Sequence, residues 1–179
     1  MKIEAQDTFA IVIDYQERIL AAMHEKEELL RRSEILVAGL HALDVPMILT
    51  TQYAKGLGDN VESITRAMGC NQAVDKNTFS VYANEQVRSA IPRDKRYVIL
   101  CGIEAHICVL QSMIDLQAAG YQTILVTDCV SSRNPSDCAY ALERAKQEGA
   151  LLTTSEAILY ELMGGSAHPA FKTISTLIK

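Results

Sequence analysis

Short apolar runs recur along the chain, and between them the spacing of apolar positions changes from continuous to helical. Residues 9–13 (Phe9-Ala10-Ile11-Val12-Ile13) are unbroken apolar and stop at Asp14, the pattern of a strand buried on both faces. Over residues 25–43, Leu29, Leu36, Leu40 and Leu43 return on one side of a helix. Pro46 opens a second strand at 47–51, and a short helix at 60–68 ends at Gly69. Residues 73–79 keep no clear period and read as a short strand running into a loop. A helix at 84–91 stops before Pro92, a strand follows at 97–101, and a helix at 108–119 ends at Gly120. The remainder predicts a strand at 121–127, a loop at 131–134, a helix at 135–148 opened by Pro135, and a strand at 150–153. A helix capped by Ser155 runs to Met163, and an amphipathic helix covers 169–179.

Strands alternating with helices predict an α/β fold: three layers, with a mainly parallel sheet covered by helices on both faces. Nothing along residues 1–179 reads as a linker or repeat, so a single domain is expected. In such sheets the crevice lies at the carboxyl ends of the strands. That rule gathers Asp14, the Thr50-Thr51-Gln52 run, Cys108 and Asp128 from distant parts of the chain.

Composition narrows the partners. The 179 residues carry 17 Lys and Arg against 22 Asp and Glu, a net charge of −5. With no dense basic cluster, nucleic acid is not expected as a partner, because phosphate binding needs a basic face. No apolar run approaches the roughly 20 residues that span a bilayer, so a cytoplasmic protein with no membrane partner is expected. The five cysteines form no CxxC pair and their odd count closes no disulfide framework, which fits reduced thiols.

Cys108 carries the sharpest chemical signal. The run 97–101 ends at Gly102, and Cys108 follows where the pattern turns helical. Partial positive charge at a helix N-terminus favours a thiolate, the nucleophilic form. Thiol catalysis also needs a group to move the proton and a charge to steady the site. Asp14, at the buried end of the first strand, is the candidate acid–base, and Lys76 in Val74-Asp75-Lys76-Asn77-Thr78-Phe79-Ser80 is the candidate cation.

At these residues the chain resembles the isochorismatase-like cysteine hydrolases, over nearly its whole length. The family's strand-end Asp matches Asp14, its Lys followed by an aromatic and Ser matches Lys76 with Phe79-Ser80, and its nucleophile matches Cys108 in Gly102-Ile103-Glu104-Ala105-His106-Ile107-Cys108-Val109. Residues 51–58, 102–111, 130–133 and 149–157 are similar to isochorismatase-domain-containing proteins within that superfamily. The resemblance implies a six-stranded parallel sheet of Rossmann-like topology and an Asp14-Lys76-Cys108 triad. It further implies a cis peptide at Ile103-Glu104, an oxyanion turn of Ile103, Glu104, Ala105 and Ile107, and a homo-oligomer. Nicotinamidases of the superfamily carry an Asp-x-His metal site after the second strand. Here Gln52-Tyr53-Ala54 stands there and no His lies between His41 and His106, so neither metal nor cofactor is expected. Isochorismatases proper typically lack the cysteine, which turns the expectation toward a small amide-type substrate and a thioester intermediate.

Position in the loops makes Tyr15, Gln16, Gln52, Tyr53, Phe79 and Tyr82 candidate pocket residues. Glu104 reads as a positioning residue, while Asp128 and Arg133 read either as substrate contacts or as structural ion pairs. His106 lies too near Cys108 along the chain to face it. Two other readings stand beside the hydrolase: a binding or regulatory protein that keeps the fold, and a flavodoxin-like nucleotide module. The second lacks a Gly-rich phosphate loop after the first strand.

Overall fold

The structure is a computed structural model that describes residues 2–179. Its centre is one six-stranded, wholly parallel sheet. The strands are β1 (Thr8–Ile13), β2 (Met47–Gln52), β3 (Ala73–Lys76), β4 (Tyr97–Ile103), β5 (Gln122–Ser131) and β6 (Leu151–Thr153). The α-helices are α1 (Glu17–Leu20), α2 (Lys26–Ala42), α3 (Ala54–Leu57), α4 (Glu62–Met68), α5 (Glu85–Ala90), α6 (Leu110–Ala118), α7 (Pro135–Gln147), α8 (Ser155–Met163) and α9 (Phe171–Ile178). A π-turn over Ala105–Val109 leads into α6.

The period-2 alternation of a strand distributes the apolar runs between two cores. Ala10 and Val12 of β1 face one way, into a cluster with Leu36 and Leu40 of α2 and Leu159 of α8. Phe9, Ile11 and Ile13 face the other way, onto Val109, Met113 of α6 and Ala145 of α7. Burial on both sides is why these strands read as continuous rather than alternating hydrophobic segments.

Strand order is β3-β2-β1-β4-β5-β6. The chain winds outward from β1 in one direction and then from β4 in the other, so the switch point lies between β1 and β4. Their carboxyl ends come unusually close. Gly102 has φ 134°, and a Cβ there would stand 2.1 Å from the Ile13 carbonyl oxygen. Only glycine lets the two strands meet at that spot.

The sequence places most elements and misses some boundaries. β5 reaches Ser131, past the predicted end at 127, because Asp128 does not terminate it. The Asp128 carboxylate accepts from the Ser155 backbone N–H (2.8 Å) and Oγ (2.6 Å), which satisfies its charge inside the sheet edge and anchors α8. The helix predicted from 108 begins as the π-turn at Ala105. The four-residue helices α1 and α3 are too short to carry a readable period.

Candidate active site

Asp14 follows β1 in a left-handed conformation (φ 56°) and is fully buried. Asp tolerates that region better than most residues, and here it turns the carboxylate across the ends of the neighbouring strands. Oδ1 accepts from the Thr50 hydroxyl of β2 at 2.7 Å, and Oδ2 from Lys76 Nζ at 2.7 Å. Lys76 closes β3 and is 1% exposed. Its three ammonium donors meet three acceptors: Asp14, Gln52 Oε1 (2.8 Å) and the Thr78 carbonyl (3.3 Å). A fully buried ion pair is tolerated only when satisfied in this way.

Cys108 sits in the π-turn after β4, with its carbonyl accepting from Ser112 Oγ. Its thiol lies within reach of the same pair, close enough for the charges of Lys76, Asp14 and Glu104 to act on it. Burial pushes the thiol up to about 12; Lys76 pulls it down and Asp14 pushes it further up. This corrects the expectation of a resting thiolate. Removing the sulfur from water outweighs the helix-terminal field, so the group rests as a protonated thiol.

A cavity of about 350 Å³ opens onto Cys108. Gln52, Phe79, Ile103, Glu104 and Ile107 line it, joined by Arg18, Ile19 and Leu57 from the short helices α1 and α3. The Glu104 carboxylate accepts from the backbone N–H (3.0 Å) and Nε (3.2 Å) of Arg133, which also borders the cavity. The Ile103–Glu104 peptide is cis. The N–H groups of Ile107 and Val109 both bond the Glu104 carbonyl, so Ile107 offers the cavity its side chain and not its amide. Ala105 is buried at the start of the turn. Residues opening a helical turn have no intrahelical partner for their N–H groups, which leaves donors on this side of the cavity.

Four candidate pocket residues lie elsewhere. Tyr15 is fully buried in the opposite core, where its hydroxyl donates to the Cys129 carbonyl (2.6 Å) and pairs with Ser33 Oγ (2.7 Å). The left-handed turn at Asp14 breaks the strand alternation and sends the next side chain to the far side of the sheet. Gln16 is also fully buried and acts as a brace: Oε1 accepts from Gln52 N, and Nε2 donates to the Gln52 and Gly58 carbonyls. Tyr53 is half exposed and lies over Gly56, where a Cβ would stand 2.2 Å from its ring. Tyr82 packs on the core beneath α6, with the Arg88 guanidinium 5.9 Å above its ring. His106 is engaged by Ser132 Oγ through Nδ1 (2.8 Å). Arg18, Ile19, Ala22 and Leu57 also line the cavity and were not singled out from the sequence; the only signal for Arg18 is its place four residues after Asp14.

Among the described residues, no three His, Cys, Asp or Glu side chains are placed to hold a metal ion, and no helix is long and apolar enough to cross a membrane.

A doubly wound parallel sheet with a buried carboxylate–ammonium pair and a thiol at its switch point defines the class of protein. A family model of the isochorismatase domain matches residues 8–157. The chain is 36% identical over 167 residues to isochorismatase domain-containing protein 1 of Salmo salar, covering 93% of this chain and 59% of that protein's length. It is 35% identical over 173 residues to the secreted isochorismatase effector Isc1 of Phytophthora sojae, covering 94% of this chain and 82% of the relative. The structure of MAR1 ribonuclease from Caenorhabditis elegans superposes with a TM-score of 0.93 at 37% identity, covering 99% of this chain and 92% of that one. The chain belongs to the isochorismatase family.

Proposed function

We propose that the protein is a cysteine hydrolase that cleaves a C–N bond of a small amide through a thioester on Cys108. The observation that carries this reading is the Cys108 thiol, at the wall of an open cavity, lying within the electrostatic reach of the buried Asp14–Lys76 pair. Asp14 takes the thiol proton as the sulfur attacks the substrate carbonyl carbon, and Lys76 keeps the pair charged and in place. Backbone N–H groups at the start of the 105–108 turn face the developing oxyanion. Asp14 then delivers the proton to the leaving amine. Water, activated by Asp14, attacks the thioester and releases the acid and the free thiol. Burial that pushes the thiol upward favours transfer of its proton to Asp14 in step with attack. The unpaired cysteines favour a reducing compartment.

The test is a screen of small amides with intact-protein mass spectrometry. Cys108→Ala is expected to abolish turnover and the acyl adduct while leaving the thermal transition within a few degrees. Turnover retained in Cys108→Ala would overturn the scheme.

The name of the C. elegans relative raises a second reading, RNA cleavage. An acidic chain with a 350 Å³ cavity is poorly matched to a polyanionic strand, which needs a basic track along its backbone. Fragmentation of RNA that is lost in Cys108→Ala would reverse that ranking.

A further inference from the structure

The charges around the cavity do not cancel, and the imbalance specifies the substrate. Beneath the cavity Asp14 and Lys76 neutralise each other at 2.7 Å, and Cys108 rests as a neutral thiol. On the walls stand two guanidiniums, Arg18 and Arg133, against one carboxylate, Glu104. Glu104 is committed to Arg133 through two hydrogen bonds. Arg18 bonds only the Gly56 carbonyl, through Nη1, and has no carboxylate within ion-pair distance among the described residues. One positive charge, on Arg18 at the exposed rim of the cavity, is therefore left without a carboxylate partner in a chain whose net charge is −5. Apart from Gln52, whose Oε1 is taken by Lys76, the other walls are mostly apolar: Ile19, Leu57, Phe79, Ile103 and Ile107.

We infer that the substrate is a short apolar amide carrying one carboxylate, and that Arg18 binds that carboxylate and sets specificity. The inference rests on the nucleophile reading above. At about 30 Å³ for each water-sized group, the cavity holds on the order of a dozen non-hydrogen atoms, enough for an amide, a short apolar spacer and one anionic group. A single uncompensated guanidinium matches a monoanion; a phosphate dianion would keep one charge unpaired in a site with apolar walls. A guanidinium also grips a carboxylate through two parallel N–H donors, a geometry that Lys cannot copy.

The experiment measures protection of Cys108 from iodoacetamide in the native protein, with each alkylated cysteine located by peptide mass spectrometry. Butyrate and hexanoate are compared with butyramide and hexanamide, and with inorganic phosphate, and exposed Cys70 reports reagent activity. The carboxylates are expected to half-protect Cys108 at lower concentration than their amides. Arg18→Met should raise the carboxylate concentration relative to the amide by about tenfold or more, the loss of one charge-assisted interaction, with Arg18→Lys falling between. Equal protection by acid and amide, or an unchanged ratio in Arg18→Met, would overturn the inference and leave the nucleophile intact. Protection by phosphate at lower concentration than by either carboxylate would overturn the assignment of a carboxylate. A Cys108 that no reagent reaches before unfolding would remove the nucleophile reading, and this inference with it.

Discussion

Lys76 and Asp14 hold each other in a place where neither would survive alone. Lys76→Met leaves a buried carboxylate with the Thr50 hydroxyl as its remaining side-chain partner, and an unpaired buried charge costs about 3–5 kcal/mol. Urea unfolding of Lys76→Met should show a loss of that size. The double change Asp14→Asn with Lys76→Met should recover most of it, since a neutral pair carries no such penalty. A double variant no more stable than the single would mean that the ammonium does not compensate the carboxylate. Asp14 was legible in the sequence because it closes a strand, and strand ends in a parallel sheet converge by topology; Lys76, in a stretch without a clear period, was legible through the family motif that pairs it with Phe79-Ser80. The side chains between them were not. Tyr15 and Gln16 adjoin Asp14 in sequence and look like pocket residues, but the positive φ at Asp14 sends one into the opposite core and turns the other into a brace on β2. A left-handed residue other than glycine leaves no mark in a hydrophobic pattern. The depressed thiol pKa expected from a helix N-terminus failed for a related reason: the pattern shows that Cys108 follows a strand, but not how completely the turn is covered.

The site depends on how closely β1 and β4 approach at their carboxyl ends, and Gly102 sets that distance. Gly102→Ala would drive a methyl group into the Ile13 carbonyl, one residue before Asp14. Backbone on both sides must move, so a loss of about 3 kcal/mol or more is expected, with the Asp14–Cys108 contact disturbed. Gly120→Ala is the control. It also sits at positive φ (96°), but nothing stands within 4 Å, so only the conformational cost of about 1 kcal/mol applies. Calorimetric transitions that fall equally in both variants would show that the close approach is not what Gly102 provides. Among the elements, the long apolar strands were read well, since burial on two faces leaves a continuous run. β5 outran its predicted end because Ser155 satisfies Asp128 from a segment 27 residues away, a long-range effect no local pattern carries. The short helices α1 and α3 escaped for want of a period, and they bring Arg18, Ile19 and Leu57 to the cavity. The loops that wall the cavity were identifiable, whereas the directions of their side chains were not.

Acids buried in the cores, Cys108 on one side of the sheet and a cluster on the other, give the fold a pH limit. The side of the sheet that holds α2 and α8 also buries Tyr15, Cys101 and Cys129 together. Burial pushes all three acids upward, and a charge on Cys101 would oppose ionisation of Tyr15 and Cys129. For Cys101 the shift runs from an ordinary 9.0 to about 12. The folded state therefore holds this proton more tightly than the unfolded chain does. Its stability is fully present below about pH 9 and is lost as pH rises toward 12, by roughly 1 kcal/mol per pH unit for each such group. Rising pH also adds negative charge to a chain that already carries −5, and self-repulsion acts in the same direction. Thermal transitions recorded under reducing conditions from pH 7.5 to 10.5 should hold steady at first and then fall above about pH 9. Cys101→Ala lowers the transition at every pH through the lost sulfur, but it also removes one ionising group, so its alkaline decline should be shallower than that of the parent. The slope carries the test and the offset does not. Parallel declines in the two proteins would mean that Cys101 ionisation does not limit the fold, and that the alkaline boundary is set by groups outside this core.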